Sequence, residues 1–354
     1  MTDVFDHPWL GALFGDPEVS ALWSAETQLE HYRVFEAALA TALEACGRIP
    51  PGRGRMAADA IERAELDIAT LSLATARDGL PVPEFVRQLR MAAKQNEAAI
   101  HTGATSQDVL DTALALTLRD VSGVLIDRLQ VLDASLSKLI AKQGSNVLIG
   151  RTRMQAALPI TVSTRLESWR QPLKDHVTAL EALRPRIERL QLGGAVGTRD
   201  GFGAEAERIA SHMAATLDLA AEPVWHTDRI AVAEYAGRLS LVSGSLGKLG
   251  QDIALMAQQG IDEIVLQGGG GSSAMPHKSN PVLAELLVTL ARFNATQIAG
   301  LHQSLIHEQE RSGAAWMLEW MILPQMAVAT ARSLAAATAL CSQIQRIGSK
   351  NTLK

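Results

Sequence analysis

The chain has 354 residues, of which 47% are hydrophobic and 4% aromatic, and its formal net charge is −5. This length allows a sizeable core, and the near-balanced charge argues against a nucleic-acid-binding surface or a charged tail. No membrane span and no signal peptide are expected, because there is no run of about 18 apolar residues and no basic start before an apolar stretch. Cys46 and Cys341 lack metal-ligand spacing, so we expect a cytoplasmic protein with reduced thiols.

Apolar residues recur every three or four positions along most of the chain, which is the pattern of amphipathic helices. The longest segments with this pattern lie at about 107–142, 230–261 and 281–310. The second would span roughly 50 Å at 1.5 Å per residue, which exceeds the width of a compact domain. Helices of this length pack best side by side, so the pattern predicts an extended bundle.

Clusters of glycine and proline interrupt the helical pattern and mark the expected breaks. They lie at 49–54, 79–83, 193–203 and 267–281. We find no internal repeat. The sequence therefore predicts an all-α fold with an N-terminal helical domain over 1–105 and a long-helix bundle domain over 106–354.

The first polar segment of interest is HTGATSQD, at 101–108. Thr105 or Ser106 stands where a long helix should begin, and either is a suitable N-cap. The free backbone N–H groups of a helix start also bind carboxylate or phosphate. A plain cap with His101 as a surface loop residue explains the same residues and is the commoner use of them.

The second segment is GRTRMQAALP, at 150–159. Arg151 and Arg153 flank a threonine ahead of Pro159, which is expected to begin a helix. Guanidinium groups bind carboxylates through two parallel hydrogen bonds, so an anion site is one interpretation. A solvated basic turn is the other.

The most unusual segment is QGGGGSSAMPHKSNP, at 267–281. Four consecutive glycines disfavour helix and strand, because glycine loses the most backbone freedom on ordering. Asn280 followed by Pro281 predicts an N-cap and a first helical residue. Lys278 would then lie beside the positive end of a helix dipole, near any bound anion. This composition fits a mobile lid better than a linker.

Other residues of this segment suit the same interpretation. Ser272 and Ser273 lie on the glycine-rich strip, and Glu285, about one turn into the helix, is placed to orient a neighbouring group. A phosphate-binding loop is the rival functional interpretation. It is disfavoured because the Gly-x-x-x-x-Gly-Lys-Ser/Thr spacing is absent and no clear strand is predicted ahead of the loop.

These three segments, in this order on a helical chain, resemble the fumarase/aspartase superfamily. The superfamily signature Gly-Ser-Ser-x-Met-Pro-x-Lys-x-Asn-Pro matches 271–281 at every specified position. Residues 105–108 are similar to its first shared region, 151–159 to its second, and 194–198 also fits. The resemblance implies a homotetramer whose active sites combine three regions from different subunits, with no cofactor or metal.

The resemblance also implies the chemistry, which is addition or elimination across a C–C bond next to a carboxylate. Loss of the proton alpha to that carboxylate gives an aci-carboxylate dianion, which needs electrostatic stabilisation. A serine needs cationic neighbours and a helix dipole to act as a base. By resemblance, Ser272 transfers the proton, and Lys278 and Asn280 stabilise the dianion. The resemblance also implies residues that hold the substrate carboxylates, which are Thr105, Ser106 and Gln155. Supporting positions are Ser273, Glu285 and Thr198.

One departure distinguishes the branches of the superfamily. The lyases usually carry Thr-His after the arginine of the second region, and this histidine, paired with a glutamate, serves the leaving group. Here the position is Arg153, which stays protonated and cannot be a general acid or base. An intramolecular carboxylate needs no such residue, so the chain resembles the cycloisomerase branch, which closes a carboxymuconate into a lactone. The segment at 307–320, HEQERSGAAWMLEW, is also similar to that branch.

The cycloisomerase interpretation implies a small polycarboxylate substrate that needs several cations. The candidates are Arg153, Arg311 and Lys278, while Arg151 is a candidate structural residue. His101 resembles a substrate-binding histidine of the lyases, and a polar loop contact is the other interpretation. Many superfamily members carry a further helical domain after the bundle, so the C-terminal domain is expected to be short or absent here.

Two alternatives remain at this point. An adenylosuccinate- or argininosuccinate-type lyase would release fumarate. A helical scaffold that had lost the chemistry would have no reason to keep Ser272, Lys278 and Asn280 together, which disfavours it.

Overall fold

The computed structural model describes residues 3–221, 223–271, 274–275 and 278–349. Its α-helices are α1 Gly11–Phe14, α2 Pro17–Leu22, α3 Ala25–Ala45, α4 Arg53–Arg63, α5 Ile68–Asp78, α6 Val82–Ala93, α7 Ser106–Gln143, α8 Val162–Ile187, α9 Ala206–Leu217, α10 Ile230–Met256, α11 Val282–Gln303 and α12 Gly313–Gln343. Its strands are β1 Val147–Thr152, β2 Gln155–Thr161, β3 Ile264–Leu266 and β4 Ile344–Ile347. Strands β1 and β2 pair antiparallel, as do β3 and β4. The all-α fold class is confirmed, with two small strand pairs added.

Helices α7, α8, α10, α11 and α12 form a bundle around the larger hydrophobic core. The contact between α10 and α11 is the most extensive, and glycines make it possible. A Cβ atom on Gly247 would lie 2.5 Å from the Cβ atom of Ala291, and one on Gly250 would lie 2.6 Å from the carbonyl oxygen of Ala284. Glycine at these positions therefore allows two backbones to approach more closely than other residues would permit.

The bundle has two chemically different ends. At one end, Arg229, just ahead of α10, bonds to residues in the second turns of α7 and α12. At the other end, Gln143, the last residue of α7, accepts the backbone N–H of Ile347, which follows α12. We call the first the Thr105 end, where α7, α10 and α12 begin. We call the second the hairpin end, where these helices finish beside the four strands.

A second, smaller hydrophobic cluster lies at the Thr105 end. It contains residues of α3 to α6, the start of α7, and the segment from Leu190 to Leu217 that includes α9. Helix α9 packs against α3, so a segment that follows the long helix α7 in the chain joins the N-terminal helices in space. The division of the chain near residue 105 stays a prediction.

The prediction that a helix begins at Pro159 is wrong, because this residue lies inside strand β2. Strands β1 and β2 form a hairpin whose two turn residues, Arg153 and Met154, have φ angles of 49° and 68°. A two-residue turn with positive φ at both positions matches the twist of paired strands and is usually made by Asn-Gly. Because Arg-Met stands here instead, the sequence carried no turn signal. Pro159 pairs with Ile149 where the register shifts, and an irregular position tolerates a residue without an N–H.

Two predicted helix boundaries also need correction. Helix α10 ends at Met256, about a turn before the expected Ile261, because the chain reverses there and the N–H of Glu263 bonds back to the carbonyl of Met256. Helix α11 runs from Val282 to Gln303 rather than over 281–310. Apolar spacing continues beyond each helix, so periodicity alone overestimates both lengths.

Among the described residues, α11 is the one helix long and apolar enough to cross a membrane by length and composition. Only 28% of this stretch is buried within the chain, although one side of the helix packs on α10 and α12. A single helix of this kind is weak evidence for a membrane segment, because core helices have the same composition. The residues of α11 that remain exposed are polar or small, and they include Glu285, Thr289, Arg292 and Thr296.

Candidate active site

The start of α7 is fixed by a reciprocal cap. Thr105 is the N-cap residue, as predicted, and forms a capping box with Asp108. The Asp108 carboxylate accepts the backbone N–H of Thr105 at 2.9 Å and also those of Gly193 and Gly194 at 2.7 and 2.9 Å. The same buried side chain therefore holds the 193–198 segment against the start of the long helix.

His226 completes the surroundings of Asp108. Its Nε2 atom lies 3.0 Å from an oxygen of that carboxylate, and the side chain is buried. The ring also packs close to Gly193, where a Cβ atom would lie 2.5 Å from the ring carbon Cε1. Sequence reasoning missed the contact between His226 and Asp108, because these residues are more than a hundred positions apart and His226 stands in no recognised motif.

Arg311 joins the Thr105 end from the segment before α12. Its Nε donates to the side-chain carbonyl of Gln107 at 2.9 Å, and its Nη2 donates to the carbonyl of Ala195 at 3.1 Å. The side chain remains exposed, so part of the guanidinium is accessible. Ser106 is the first residue of α7, and the hydroxyl of Thr198 donates to Asp200 at 2.8 Å.

His101 lies on the loop before α7 and contacts a carboxylate that the sequence did not reveal. Its Nδ1 is 2.6 Å from one oxygen of Glu36, and its backbone N–H donates to the other oxygen at 2.8 Å. Burial opposes the charged form of the ring and is the largest single influence, but the contact with Glu36 and the charge of Asp108 together outweigh it and raise the pKa of His101. The Thr105 end therefore gathers the predicted residues His101, Thr105, Ser106, Thr198 and Arg311.

A buried charged cluster lies beneath these residues. Arg229 is fully buried and bonds to Asp111 at 2.8 and 3.1 Å and to Glu319 at 2.9 and 2.5 Å. The indole N–H of Trp316 donates to Asp111 at 3.2 Å, and the guanidinium of Arg229 lies 4.8 Å from the ring centre of Trp225. One guanidinium and two carboxylates, all removed from water, join the starts of α7, α10 and α12.

Replacing Arg229 with methionine is expected to destabilise the chain by about 3–5 kcal/mol, because two buried carboxylates would lose their counter-charge. The measurement is urea unfolding followed by circular dichroism. Arg63→Met, at an exposed position of α4, is the matched control and should change stability by less than about 0.5 kcal/mol. An equally small loss in both variants would contradict a structural role for the cluster.

The hairpin end carries the second arginine-rich segment. Arg153 occupies the hairpin turn and is exposed, and Gln155 is exposed opposite Thr152. The turn borders a cavity of about 600 Å³. Its polar lining consists of Arg151, Arg153, Arg165, Lys248, Gln251, Asp252, Gln258 and Glu263.

The charges of this cavity do not balance. Arg151 forms an ion pair with Glu263, and Lys248 forms one with Asp252. Across the described ranges, no ion pair is found for Arg153 or Arg165, and Arg165 only contacts the sulfur of Met256 at 3.4 Å. The cavity therefore presents two guanidinium groups without counter-charges. Sequence reasoning missed Arg165, which lies one turn inside α8 among ordinary helix residues.

The glycine loop begins and ends on a backbone bridge. Gly270 and Asn280 each donate their N–H to the carbonyl of the other at 2.9 Å. A Cβ atom on Gly270 would lie 2.5 Å from a methyl group of Val282, so the close approach requires glycine. Lys278 is exposed and Asn280 is half-buried. The predicted residues Ser272 and Ser273 lie outside the described residues.

The predicted cap of α11 needs correction. The helix begins at Val282 and its N-cap residue is Pro281, without a side-chain hydrogen bond, so Asn280 is not the cap. The bridge to Gly270 occupies the backbone of Asn280 instead. Glu285 is exposed in the first turn. Strand β3 does precede the loop, contrary to expectation, but the phosphate-loop spacing is still absent.

The predicted site residues thus fall into two groups that one chain does not bring together. Lys278 and Asn280 precede α11 at the hairpin end, whereas Arg311 follows it at the Thr105 end. Helix α11 has 22 residues and is therefore roughly 33 Å long. Arg153 lies with the first group, because it borders the same cavity as Lys248. Lys248 is about five turns, or roughly 27 Å, along α10 from Ile230, where this helix begins at the Thr105 end.

Residues 23–300 match the model of the family described as "Lyase". The chain belongs to this family, which confirms the resemblance to the fumarase/aspartase superfamily.

Two curated relatives and one solved structure show how similar the chain is to characterised members. A 3-carboxy-cis,cis-muconate cycloisomerase from Pseudomonas aeruginosa is 36% identical over 98% of this chain and 77% of that enzyme. An N-acetyl-S-(2-succino)cysteine lyase from Enterococcus italicus is 33% identical over 91% of this chain and 72% of the lyase. The crystal structure of 3-carboxy-cis,cis-muconate lactonizing enzyme from Pseudomonas putida superposes with a TM-score of 0.89 at 34% identity, covering 96% of this chain and 77% of that one.

Proposed function

We propose that the chain is a cycloisomerase that converts 3-carboxy-cis,cis-muconate into carboxymuconolactone, a step of protocatechuate breakdown in the β-ketoadipate pathway. The observation that carries this proposal is the arginine at the hairpin turn. Arg153 cannot transfer protons, and it borders a cavity that also holds Arg165, for which the described part of the chain shows no ion pair. The site therefore favours a polyanionic substrate whose leaving group needs no protein acid. The cycloisomerase relative at 36% identity supports the same substrate.

The size and charge of the cavity suit this substrate. A volume of about 600 Å³ is within the usual range for small-molecule sites. Two of its cations are neutralised by Glu263 and Asp252, and the other two are not. Guanidinium groups bind carboxylates with two parallel hydrogen bonds, so each free arginine is suited to one carboxylate.

The proposed reaction rearranges bonds without losing an atom. One carboxylate oxygen attacks the alkene carbon that bears the extra carboxyl group, and a C–O bond forms as the C=C bond breaks. The electron pair moves to the carbon next to another carboxylate, where Lys278 and Asn280 stabilise the resulting dianion. Ser272 then donates its proton to that carbon. Much of the rate enhancement comes from holding the substrate curled, because intramolecular attack depends on orientation.

The bridge between Gly270 and Asn280 supports the assignment of the loop residues. In the sequence, Ser272 is separated from Gly270 by one residue, and Lys278 from Asn280 by one. Two hydrogen bonds of 2.9 Å hold the ends of this loop together. The stretch that carries the proposed proton donor and the stretch that carries the proposed cation thus both begin at the Gly270–Asn280 bridge.

We further propose a cytoplasmic homotetramer whose active sites are shared between subunits. The roughly 33 Å between the two residue groups is far more than a muconate chain can bridge. If the Thr105 end of one subunit meets the hairpin end of another, both groups contact one substrate. Only 28% of the apolar stretch of α11 is buried within the chain, which leaves surface on this helix for packing against helices of neighbouring subunits.

A spectrophotometric assay tests the function. With 3-carboxy-cis,cis-muconate, the diene absorbance should fall and the lactone should be the single product. A fumarate-releasing lyase is the second candidate, because a lyase relative is 33% identical. Fumarate formation from adenylosuccinate, argininosuccinate or N-acetyl-S-(2-succino)cysteine, without any loss of diene absorbance, would overturn the cycloisomerase proposal.

Arg153→Ala is expected to raise KM for the substrate at least about tenfold, because a charge-assisted carboxylate contact would be lost. Thermal stability should not change, since the side chain is exposed and forms no ion pair within the described part of the chain. Arg63→Ala, at an exposed site on α4, is the control. An unchanged KM in Arg153→Ala would show that this residue does not contact the substrate.

A further inference from the structure

Glu36 is a fully buried carboxylate whose two oxygens both contact His101. It lies in α3, with 0% of its surface exposed. One oxygen is 2.6 Å from Nδ1 of the His101 ring, and the other accepts the backbone N–H of the same residue at 2.8 Å. Burying a carboxylate costs several kcal/mol unless it is paired, so a contact of this kind requires a favourable partner.

The loop that carries His101 is held in place at several points. His101 itself has a φ of 59°, a left-handed conformation that side-chain-bearing residues seldom adopt. The hydroxyl of Thr102 donates to the carbonyl of Ala98 at 2.8 Å, and Gly103 lies against the ring of Phe202, where a Cβ atom would come within 2.7 Å. Glu36 is the contact that fixes the ring through Nδ1, and no hydrogen bond of Nε2 is found among the residues that the structure describes.

Charged groups from three helices act on this ring. Burial disfavours its charge and is the largest influence, but the contact with Glu36 of α3 and the more distant Asp108 of α7 favour it. Arg90 of α6 acts in the opposite direction. The net result is a raised pKa for His101, so the ring keeps its proton to a higher pH than an ordinary histidine.

We propose that Glu36 is a positioning residue that holds His101 as a protonated donor, whose Nε2–H binds one carboxylate of the substrate at the Thr105 end. This inference rests on the proposed function, because it assigns a ligand to the same composite site. It adds a fixed cation to the exposed guanidinium of Arg311 at that end. Each end of the bundle would then supply cations to a substrate with three carboxylates.

The test compares Glu36→Gln, His101→Gln and the double variant with the wild-type chain. Glu62→Gln, an exposed position on α4, is the matched control. One readout is the NMR titration of the His101 ring, identified by its loss in His101→Gln. The second is the affinity for tricarballylate, a stable tricarboxylate, measured by the same signals, and the third is KM for 3-carboxy-cis,cis-muconate.

In Glu36→Gln the titration midpoint of His101 should move to lower pH, because the adjacent carboxylate would no longer offset burial. At pH 8, KM and the tricarballylate dissociation constant should each rise at least about tenfold, with a smaller change in kcat. The double variant should bind no more weakly than His101→Gln, since both changes remove one contact. Glu36→Asp, which keeps the charge but shortens the side chain, should show an intermediate loss and provides a second folded variant.

An unchanged His101 titration in Glu36→Gln would overturn the proposal, as would an additional loss of affinity in the double variant. The first would show that Glu36 does not control the ring, and the second that it acts by another route. If the wild-type chain does not turn over 3-carboxy-cis,cis-muconate, the proposed function fails, while the titration and tricarballylate arms still decide the role of Glu36.

Discussion

Ser272→Ala should lower kcat for lactone formation by about 10³-fold or more, while leaving the fold and the oligomer unchanged. The alanine cannot donate a proton to the carbon where the electron pair accumulates. The attack step would remain possible, but its product would revert before slow protonation by water. The measurement is the rate of diene loss at saturating substrate, with size-exclusion chromatography to compare the oligomers.

Ser279→Ala is the matched control for this prediction. Ser279 belongs to the same loop and is exposed beside the backbone of Gly269. Its loss removes the same hydroxyl group a few residues away and should change kcat by less than about threefold. Near-normal turnover in Ser272→Ala would contradict the assignment of Ser272 as the proton donor. Equal losses of kcat in both variants would indicate a general effect on the loop.

Two inactive variants are expected to regain activity when they are mixed, provided that one is changed at each end of the bundle. Arg311→Ala removes a cation from the Thr105 end, and Lys278→Ala removes one from the hairpin end. In a mixed tetramer some sites receive both intact ends from different subunits. Random mixing would restore about a quarter of the sites if each site takes these two residues from two subunits.

The experiment requires subunit exchange, achieved by joint refolding or by co-expression with two affinity tags. Mixing Lys278→Ala with Ser272→Ala is the control, because both residues belong to one loop of one chain. That pair should stay inactive. Absence of recovery in the first mixture, in tetramers shown to contain both variants, would contradict the sharing of sites between subunits.

Local patterns were sufficient for the parts of the site that local residues build. The N-cap at Thr105 or Ser106 was predictable because these hydroxyl residues stand at the start of a strong helical pattern, and the structure places the cap at Thr105. The close approach of Gly270 to Asn280 was not predictable, although the four glycines indicated an irregular loop. The hairpin turn was missed because Arg153 and Met154 rarely adopt positive φ together.

Contacts between distant segments explain the remaining omissions. Glu36 occupies an apolar helix face, where a single charged residue gives no indication of its partner 65 positions away. Arg165 follows a threonine cap and resembles any helical arginine until the cavity around it is seen. The resemblance to the superfamily supplied residue roles, but the two-ended distribution of these residues became visible only in the folded chain.

The buried cluster of Arg229, Asp111 and Glu319 fixes the relative axial positions of three helices, α7, α10 and α12. A slide of α12 against α7 by one turn, about 5.4 Å, would separate Glu319 from Arg229 and leave the Glu319 carboxylate without its partner in the core. Apolar contacts between helices tolerate such a slide far better, because one leucine can replace another. The cluster therefore sets the register of the bundle, and with it the height at which Arg311 meets the start of α7.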